Sequence, residues 1–464
     1  MKIGIIGGGT AGLIASLILK KSCEKLNIEI IRSDKLGIIG VGEGSENTWN
    51  DFMSFVGIDP QDLIKNTDAT FKFGVMFENW TKKPYFHSVD DNLLNIQNSY
   101  GYMIKNKYSF ADMTVPFLWN NKVGTKSYPN QYHFNTFKLN TFLSNIAKSR
   151  GIKITNDEIK KVNTVENKIK SLVGEKKKYS FDFYIDCTGF KRLLISSLGA
   201  KWISYSKYLC MNSAIAFPTK DTDEYNPYTL ARAMSAGWMW RIPTFGRWGN
   251  GYIFNDKYIT ETQAKKECEK YLGHSITIAK KIKFNPGRLD KSWINNCCAL
   301  GLSSNFMEPM EASSIGTSIK QSFMLAEDIL QYNDATINFY NKRLQIIVEN
   351  IRDFIVLHYL CNKKDSVFWK DKPFKIPDTL QKYLDIWKVR MPNKNDFQEN
   401  KLLFYQSNFI LILHGIGLIS NKQLKHLLYP SNISTDIKHL LFFYGTTPVV
   451  SHKNYLKQIK LKSI

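Results

Sequence analysis

Several groups of residues in this 464-residue sequence have types and spacings that could do chemistry. Gly7, Gly9 and Gly12 fill G-x-G-x-x-G between an apolar stretch at residues 2–6 and helical spacing over residues 11–21. Glycines so placed allow a tight turn, close approach of a pyrophosphate and packing of helix on strand, so the loop predicts dinucleotide binding, with the phosphates on the helix N-terminus. Lys72 lies between Phe71 and Phe73. Apolar neighbours would desolvate its amine, lower its pKa and make it a better nucleophile, while a nearby carboxylate would act the other way. Glu311, Ser313 and Ser314 stand in "EPMEASSIG", and amides at the entrance to a helix there would suit a small anion. By residue type alone, Lys72 and Glu311 read equally as a solvated lysine and a helix-end acid, and the serines as N-caps. In "WMWRIP", Trp238 and Trp240 would share one face of a strand ending at Ile242 and Pro243, which by itself predicts sheet core.

These groups need elements to position them. "NIEIIRSD" reads as the second strand, with Arg32 where an acidic residue commonly holds the adenosine ribose. An arginine cannot accept the sugar hydroxyls' hydrogen bonds but suits a 2′-phosphate, which keeps NADP open. FAD is favoured by "FDFYIDCTGF" at 181–190, a strand end resembling the Asp-x-Thr-Gly of FAD enzymes of the glutathione-reductase and hydroxylase type. The segment 295–323 reads as strand, loop, then helix, which would aim helix-end amides at a flavin or an anion. The expected fold is thus an α/β, Rossmann-like FAD domain, discontinuous over residues 1–335 and carrying inserted substrate-side elements. Residues 336–464 are expected to be mainly α-helical. Leu344, Ile347, Val348, Ile351, Phe354 and Ile355 form one helical stripe there, and 371–379 is a proline-bearing connector.

Composition narrows the class. With 43% hydrophobic and 22% charged residues the chain is globular, and its length predicts more than one core or one large domain with insertions. The seven cysteines include no C-x-x-C and no metal-finger spacing, so no metal site is expected and a reduced, cytoplasmic setting is the simplest inference. No signal peptide is read, and the apolar run at 409–419 is too short to span a bilayer. The formal charge of +22 would concentrate anions, but it is spread along the chain without a nucleic-acid-binding motif, so nucleic acid is not the expected partner.

Taken together, the motifs resemble those of flavin-dependent halogenases of the tryptophan halogenase family. The carrying blocks are the Gly7–Gly12 loop, "GVGEGS" at 40–45, "TFKFGVMFENW" at 70–80, "YHFN" at 132–135, "DCTGF" at 186–190, W-x-W-x-I-P at 238–243 and "NFMEPMEASSIG" at 305–316. A Lys- and Asn-rich chain of this kind is also one that an AT-rich genome, such as a phage's, would encode. The resemblance implies that FAD, reduced by a separate flavin reductase, works with O2 to oxidise a halide (chloride, bromide or iodide) to hypohalous acid. That acid passes through a tunnel to a small electron-rich arene of indole, phenol or pyrrole type, held in a substrate-pocket region that the resemblance assigns to residues 336–464. It further implies that Lys72 captures or hydrogen-bonds the oxidised halogen and that Glu311 takes up the proton lost by the arene. The halide would lie on the amides of Ser313 and Ser314. FAD would touch Gly7, Gly8, Gly9, Thr10, Ala11, Gly12, Val41, Gly44 and Ile315. Trp238, Trp240, Ile242 and Pro243 would exclude monooxygenase chemistry by filling the space where an organic substrate could meet the flavin. Two departures stand out. Ala312 follows Glu311 where the family often has serine, and Gly44-Ser45 follow Glu43 where many relatives have Ala-Thr. His87 is a further candidate for the pocket, equally readable as a partly buried histidine.

The alternatives are a flavin monooxygenase that hydroxylates its arene, which would need the substrate beside the flavin, and a non-enzymatic basic FAD-binding protein with salt-dependent nucleic-acid affinity. Homo-oligomerisation, the arene and the preferred halide are left open by the sequence.

Overall fold

Lys2–Ile6 is the strand around which the nucleotide-binding sheet is built, with Ile3, Ile5 and Ile6 buried. It pairs in parallel with Asn27–Arg32 on one side and Phe183–Asp186 on the other. The sheet runs Trp293–Ile294, Cys297–Ala299, Phe183–Asp186, Lys2–Ile6, Asn27–Arg32, Lys153–Asn156, and only its first pair is antiparallel. The chain therefore builds outward from Lys2–Ile6 to Lys153–Asn156, then returns to the opposite side. That reversal opens a crevice beyond the carboxyl end of Lys2–Ile6, the place where open α/β sheets bind ligands. The Gly7–Gly12 loop lies there and leads into helix Thr10–Ser22, whose Leu13, Ile14, Leu17 and Ile18 are buried. This computed structural model describes residues 1–38, 40, 43–89, 93, 96–109, 112–125, 131–397 and 402–461.

A second, larger sheet runs Lys280–Lys283, Ser213–Lys220, Arg247–Phe254, Gly237–Thr244, Thr229–Met234, Gly74–Glu78, Tyr85–Ser88. WMWRIP lies in its interior strand Gly237–Thr244, antiparallel to both neighbours. Trp240 faces Gly251, where a Cβ would collide with the indole. Pro243 lies beyond the residues paired with Thr229–Met234, so its missing N–H removes no ladder bond on that side. A small sheet, Glu43–Gly44, Gln131–Phe134, Thr70–Lys72, puts Lys72 on an edge strand.

From Asp334 onward the described elements are helical, apart from the short strand Val449–Val450. The long helix Asp334–His358 buries the expected stripe from Leu344 to Ile355 and continues it to His358. The apolar run near 409–419 is helix Gln406–Gly415, and no helix among the described residues is long and apolar enough to cross a membrane. All seven cysteines are free thiols.

Candidate active site

The crevice at the carboxyl end of Lys2–Ile6 opens into a cavity of ≈ 820 Å³, within the roughly 300–1,000 Å³ usual for small-molecule and cofactor sites. One end is bounded by Gly7, Gly8, Gly9, Thr10, Ala11 and Arg32. Gly7 has φ +115°, and a side chain there would collide with the Cys187 carbonyl. One at Gly12 would collide with the Gly7 carbonyl, so Gly12 packs helix on loop rather than facing the cavity. At Gly9, by contrast, no protein atom lies within 4 Å of where a Cβ would stand, and no side chain caps the helix that begins there. Open backbone in front of an uncapped helix N-terminus fits a pyrophosphate. Asn140 Nδ2 steadies the loop by donating to Gly8 O at 2.7 Å. Buried Asp186 ties down the "DCTGF" turn, accepting from the Thr188 and Leu194 amides at 2.9 and 2.8 Å. Arg32 also faces the cavity, its Nε 3.2 Å from Asp34 Oδ1 and its Nη1 3.3 Å from Ser144 Oγ.

At the other end lies Lys72, with no exposed surface. Its Nζ donates to Ser45 O at 2.6 Å. Burial lowers the amine's pKa to about 8, against the opposing charges of Glu311 and Glu46. Glu311 is buried between two histidines: Oε2 is 2.9 Å from His87 Nδ1 and Oε1 is 3.0 Å from His358 Nε2. Burial would raise its pKa, but the two imidazoles override that and hold the carboxyl at about 2. His358 Nδ1 lies 2.8 Å from Phe354 O, so the ring faces an oxygen acceptor at each nitrogen. Asn408 Nδ2 closes the chain at 3.0 Å from His87 Nε2. Glu46, a second buried carboxyl, accepts from Thr48, and burial raises its pKa.

Helix Ser313–Asp328 begins at this same end. Its N-cap is Ala312, in the left-handed conformation at φ 55°, and no side chain caps it. Ser313 and Ser314 are the first helical residues rather than N-caps, which leaves a bare helix start. Ser314 and Ile315 face the cavity, while Ser313 is buried away from it. Ala312, Gly44 and Lys72 meet here: a Cβ on Gly44 would stand 3.7 Å from both Ala312 Cβ and Lys72 Cδ. Of the two indoles in WMWRIP, Trp240 lines the cavity with Ile242. Trp238 sits behind it, ring centroids 6.2 Å apart, and its Nε1 donates to Glu308 Oε2 at 3.4 Å.

This geometry joins a dinucleotide cradle to a buried amine beside an uncapped helix start. Residues 2–429 match the tryptophan halogenase family. The chain belongs to that family. It is 29% identical to a tryptophan 6-halogenase of Streptomyces toxytricini over 479 aligned positions, covering 90% of each protein. Its fold resembles that of a flavin-dependent halogenase of Xanthomonas campestris, with TM-score 0.89 and 27% identity over 99% of this chain and 98% of that one. A tryptophan halogenase of Shewanella frigidimarina gives TM-score 0.89 and 26% identity over 99% and 97%. The protein is thus a flavin-dependent halogenase with a Rossmann-like α/β core.

In this halogenase most of the residues singled out by sequence converge on one cavity, in graded ways. Gly7–Ala11, Gly44, Lys72, Trp240, Ile242, Ser314 and Ile315 line it. Gly12, Trp238, Pro243, Glu311 and Ser313 support residues that do, and Pro243 O accepts from Thr70 Oγ1 at 2.7 Å, two residues before Lys72. Val41 lies outside the described residues. Sequence reasoning missed His358, although it prolongs the apolar stripe of its helix by one step from Phe354 and Ile355. It also missed His133, whose ring lies between Thr70 Oγ1 at 3.2 Å and Thr229 Oγ1 at 2.8 Å, and Glu308, whose burial raises its pKa to about 7. No sequence signal marked either. Among the described residues no cluster able to hold a metal ion is present.

Proposed function

We propose that this halogenase binds FAD along the cavity and places a halogen on an indole-type arene, with Lys72 and Glu311 as the groups that handle halogen and proton. The observation that carries the reading is the buried Lys72 amine lining the same cavity as the glycine loop, with its pKa lowered to about 8. Bound as FADH2, supplied by a separate flavin reductase, the flavin would with O2 provide the oxidising power that converts halide to hypohalous acid. The chain's own residues do the rest. The uncapped helix start holds the halide, since helix-start donors favour a small anion; Ser314 meets it at the cavity lining and the Ser313 amide, one residue deeper, completes the site. Trp240 and Ile242 fill the wall where an arene could otherwise reach the flavin, and Trp238 braces Trp240 from behind. Lys72, partly deprotonated near neutrality, offers a nucleophilic amine to the oxidised halogen. Glu311, ionised between its histidines, accepts the arene's proton. A carboxylate this acidic suffices because the halogenated arene cation is a strong acid. The indole class is supported by the relatives' substrate, tryptophan, as their names give it.

We also propose that residues 1–335 form the FAD- and halide-handling part and 336–464 the substrate-pocket part. In support, the latter supplies His358 and Asn408 to the Glu311 network.

The test supplies protein, FAD, a flavin reductase, NADH, O2 and chloride, bromide or iodide separately to a panel of arenes, with products read by mass spectrometry. Halogenated indoles are expected. Hydroxylated products with every halide would favour the monooxygenase reading. Lys72→Ala should lower arene halogenation by about 10²–10⁴-fold, the scale of a positioned acid–base or nucleophilic group, while reduced flavin is still consumed.

A further inference from the structure

We propose that His452 is a positioning residue for Lys72: carried on the C-terminal helix, its imidazole caps the edge of the strand that holds the lysine and fixes where the amine stands. This rests on the reading of Lys72 given above. His452 lies beyond residue 429, where the match to the family ends.

Thr70–Lys72 is the outer strand of its small sheet, paired on one side only, with Gln131–Phe134. An edge strand presents unpaired N–H groups, and here the edge is buried, so each needs an acceptor from elsewhere. The Phe71 N–H donates to His452 Nε2 at 2.9 Å, across 381 positions of sequence. On the ring's far side Nδ1 lies 3.2 Å from Tyr225 O, an acceptor. Nδ1 therefore carries the proton and Nε2 the lone pair, so the clamp requires a neutral imidazole. The site enforces that: His452 has no exposed surface, and burial lowers its pKa to about 4 against the Tyr225 carbonyl and Glu224. The ring also packs on Phe71, centroids 5.4 Å apart.

The helix bearing His452, His452–Leu461, is itself held firmly. Lys453 Nζ reaches Asp221 Oδ2 at 2.7 Å and the Lys453 N–H donates to Glu224 Oε1 at 3.0 Å. Tyr455 OH donates to Thr125 O at 3.0 Å, and Lys460 Nζ is 3.3 Å from Asp68 Oδ1. Just past the end of strand Thr70–Lys72, the Phe73 N–H donates to Pro227 O at 2.8 Å. The backbone is thus pinned one residue before and one residue after Lys72, and the earlier pin is a side chain from the far end of the chain. A reactive group displaced by about 1 Å can lose about 10²-fold in rate, so this pin bears on chemistry rather than only on folding.

The test compares His452→Ala, His452→Gln and Lys72→Ala with the wild type. FAD affinity, the KM for arene and the kcat for halogenation are measured, and hypohalous acid escaping into solution is caught by a small-molecule scavenger. His452→Ala should keep FAD affinity and KM, lose about 10- to 100-fold in kcat, and release more hypohalous acid. His452→Gln, whose amide can both accept from Phe71 and donate to Tyr225, should recover most of the kcat. A wild-type kcat in His452→Ala, or no recovery in His452→Gln, overturns the proposal. Should His452→Ala fail to fold, Lys453→Met loosens the same helix without touching the ring. Faster hydrogen exchange at the Phe71 amide must then accompany a fallen kcat, and faster exchange with unchanged kcat overturns the proposal. If Lys72→Ala keeps full halogenation, the Lys72 reading has failed. If Lys72→Ala is inactive and His452→Ala is normal, only the His452 proposal has.

Discussion

The two ends of the cavity are made of different material. The nucleotide end is mostly backbone: a turn at Gly7, a close contact at Gly12 and bare amides in front of Thr10, all within a dozen consecutive residues. The lysine end is mostly side chains. Lys72 lines it, and His87, Glu311, His358 and Asn408 stand behind the lining; the five come from separate elements and are buried or partly buried. Binding a phosphate needs partial charges that any backbone supplies once its conformation is right. Handling a halogen and a proton needs ionisable groups taken out of water, and those persist only when each is given partners. The first end can therefore be rigid and local, whereas the second depends on the packing of the whole chain.

That contrast is tested most severely at Glu311. Gln is nearly isosteric, and it can accept from His87 while donating to a neutral His358, so Glu311→Gln should keep the network and the fold. It removes the proton acceptor, and kcat for halogenation should fall by about 10²–10⁴-fold with flavin affinity unchanged. Product formation and flavin titration check this together. A variant with near-normal kcat would reduce the carboxylate to a structural prop.

A smaller effect follows from the buried amine. Lys72 has its pKa lowered by burial from 10.5 to about 8. Below pH 8 the amine is charged whether the chain is folded or not. Between pH 8 and 10.5 the folded protein has released a proton that the unfolded chain still holds, so stability rises with pH. The gain across that window is on the order of 3 kcal/mol, given the lowering of Lys72 from 10.5 to about 8. Denaturant midpoints of wild type and Lys72→Met should therefore diverge as pH rises, in favour of the wild type. Parallel curves would mean the amine is not desolvated.

The same division explains what could be read in the sequence. The strand at 2–6, the helix after it, Asn27–Arg32 and the strand ending at Asp186 were legible because their glycine spacing and apolar runs are local signals. Trp238 and Trp240 were legible as a strand, but not that only Trp240 would reach the cavity. That depends on Gly251 across the ladder and on Glu308 drawing the Trp238 indole back. By residue type Lys72 is like any lysine between aromatics, and only the resemblance to the halogenase motifs sets it apart. The stripe of its helix marks His358 as buried but not as a partner of Glu311, and His452 carries no local mark, since their roles are fixed by partners 47 and 381 positions away.

The smallest expected effects separate the two uses of glycine at the nucleotide end. Gly7→Ala asks for a side chain at φ +115° against the Cys187 carbonyl, so the fold itself should lose about 1–3 kcal/mol, with or without flavin. Gly9→Ala asks for nothing the protein cannot give. Its φ of −74° is open to any residue, and no atom stands within 4 Å of the added methyl, so the flavin-free protein should melt at or slightly above the wild-type temperature. The methyl does, however, project into the space assigned to the pyrophosphate. Flavin affinity should fall about 10-fold, a penalty of about 1.4 kcal/mol that appears only in the complex. Thermal melts with and without FAD read both quantities. If Gly9→Ala binds FAD as tightly as the wild type, the phosphates do not lie over this loop, and the backbone end of the cavity loses the role that sets it apart from the lysine end.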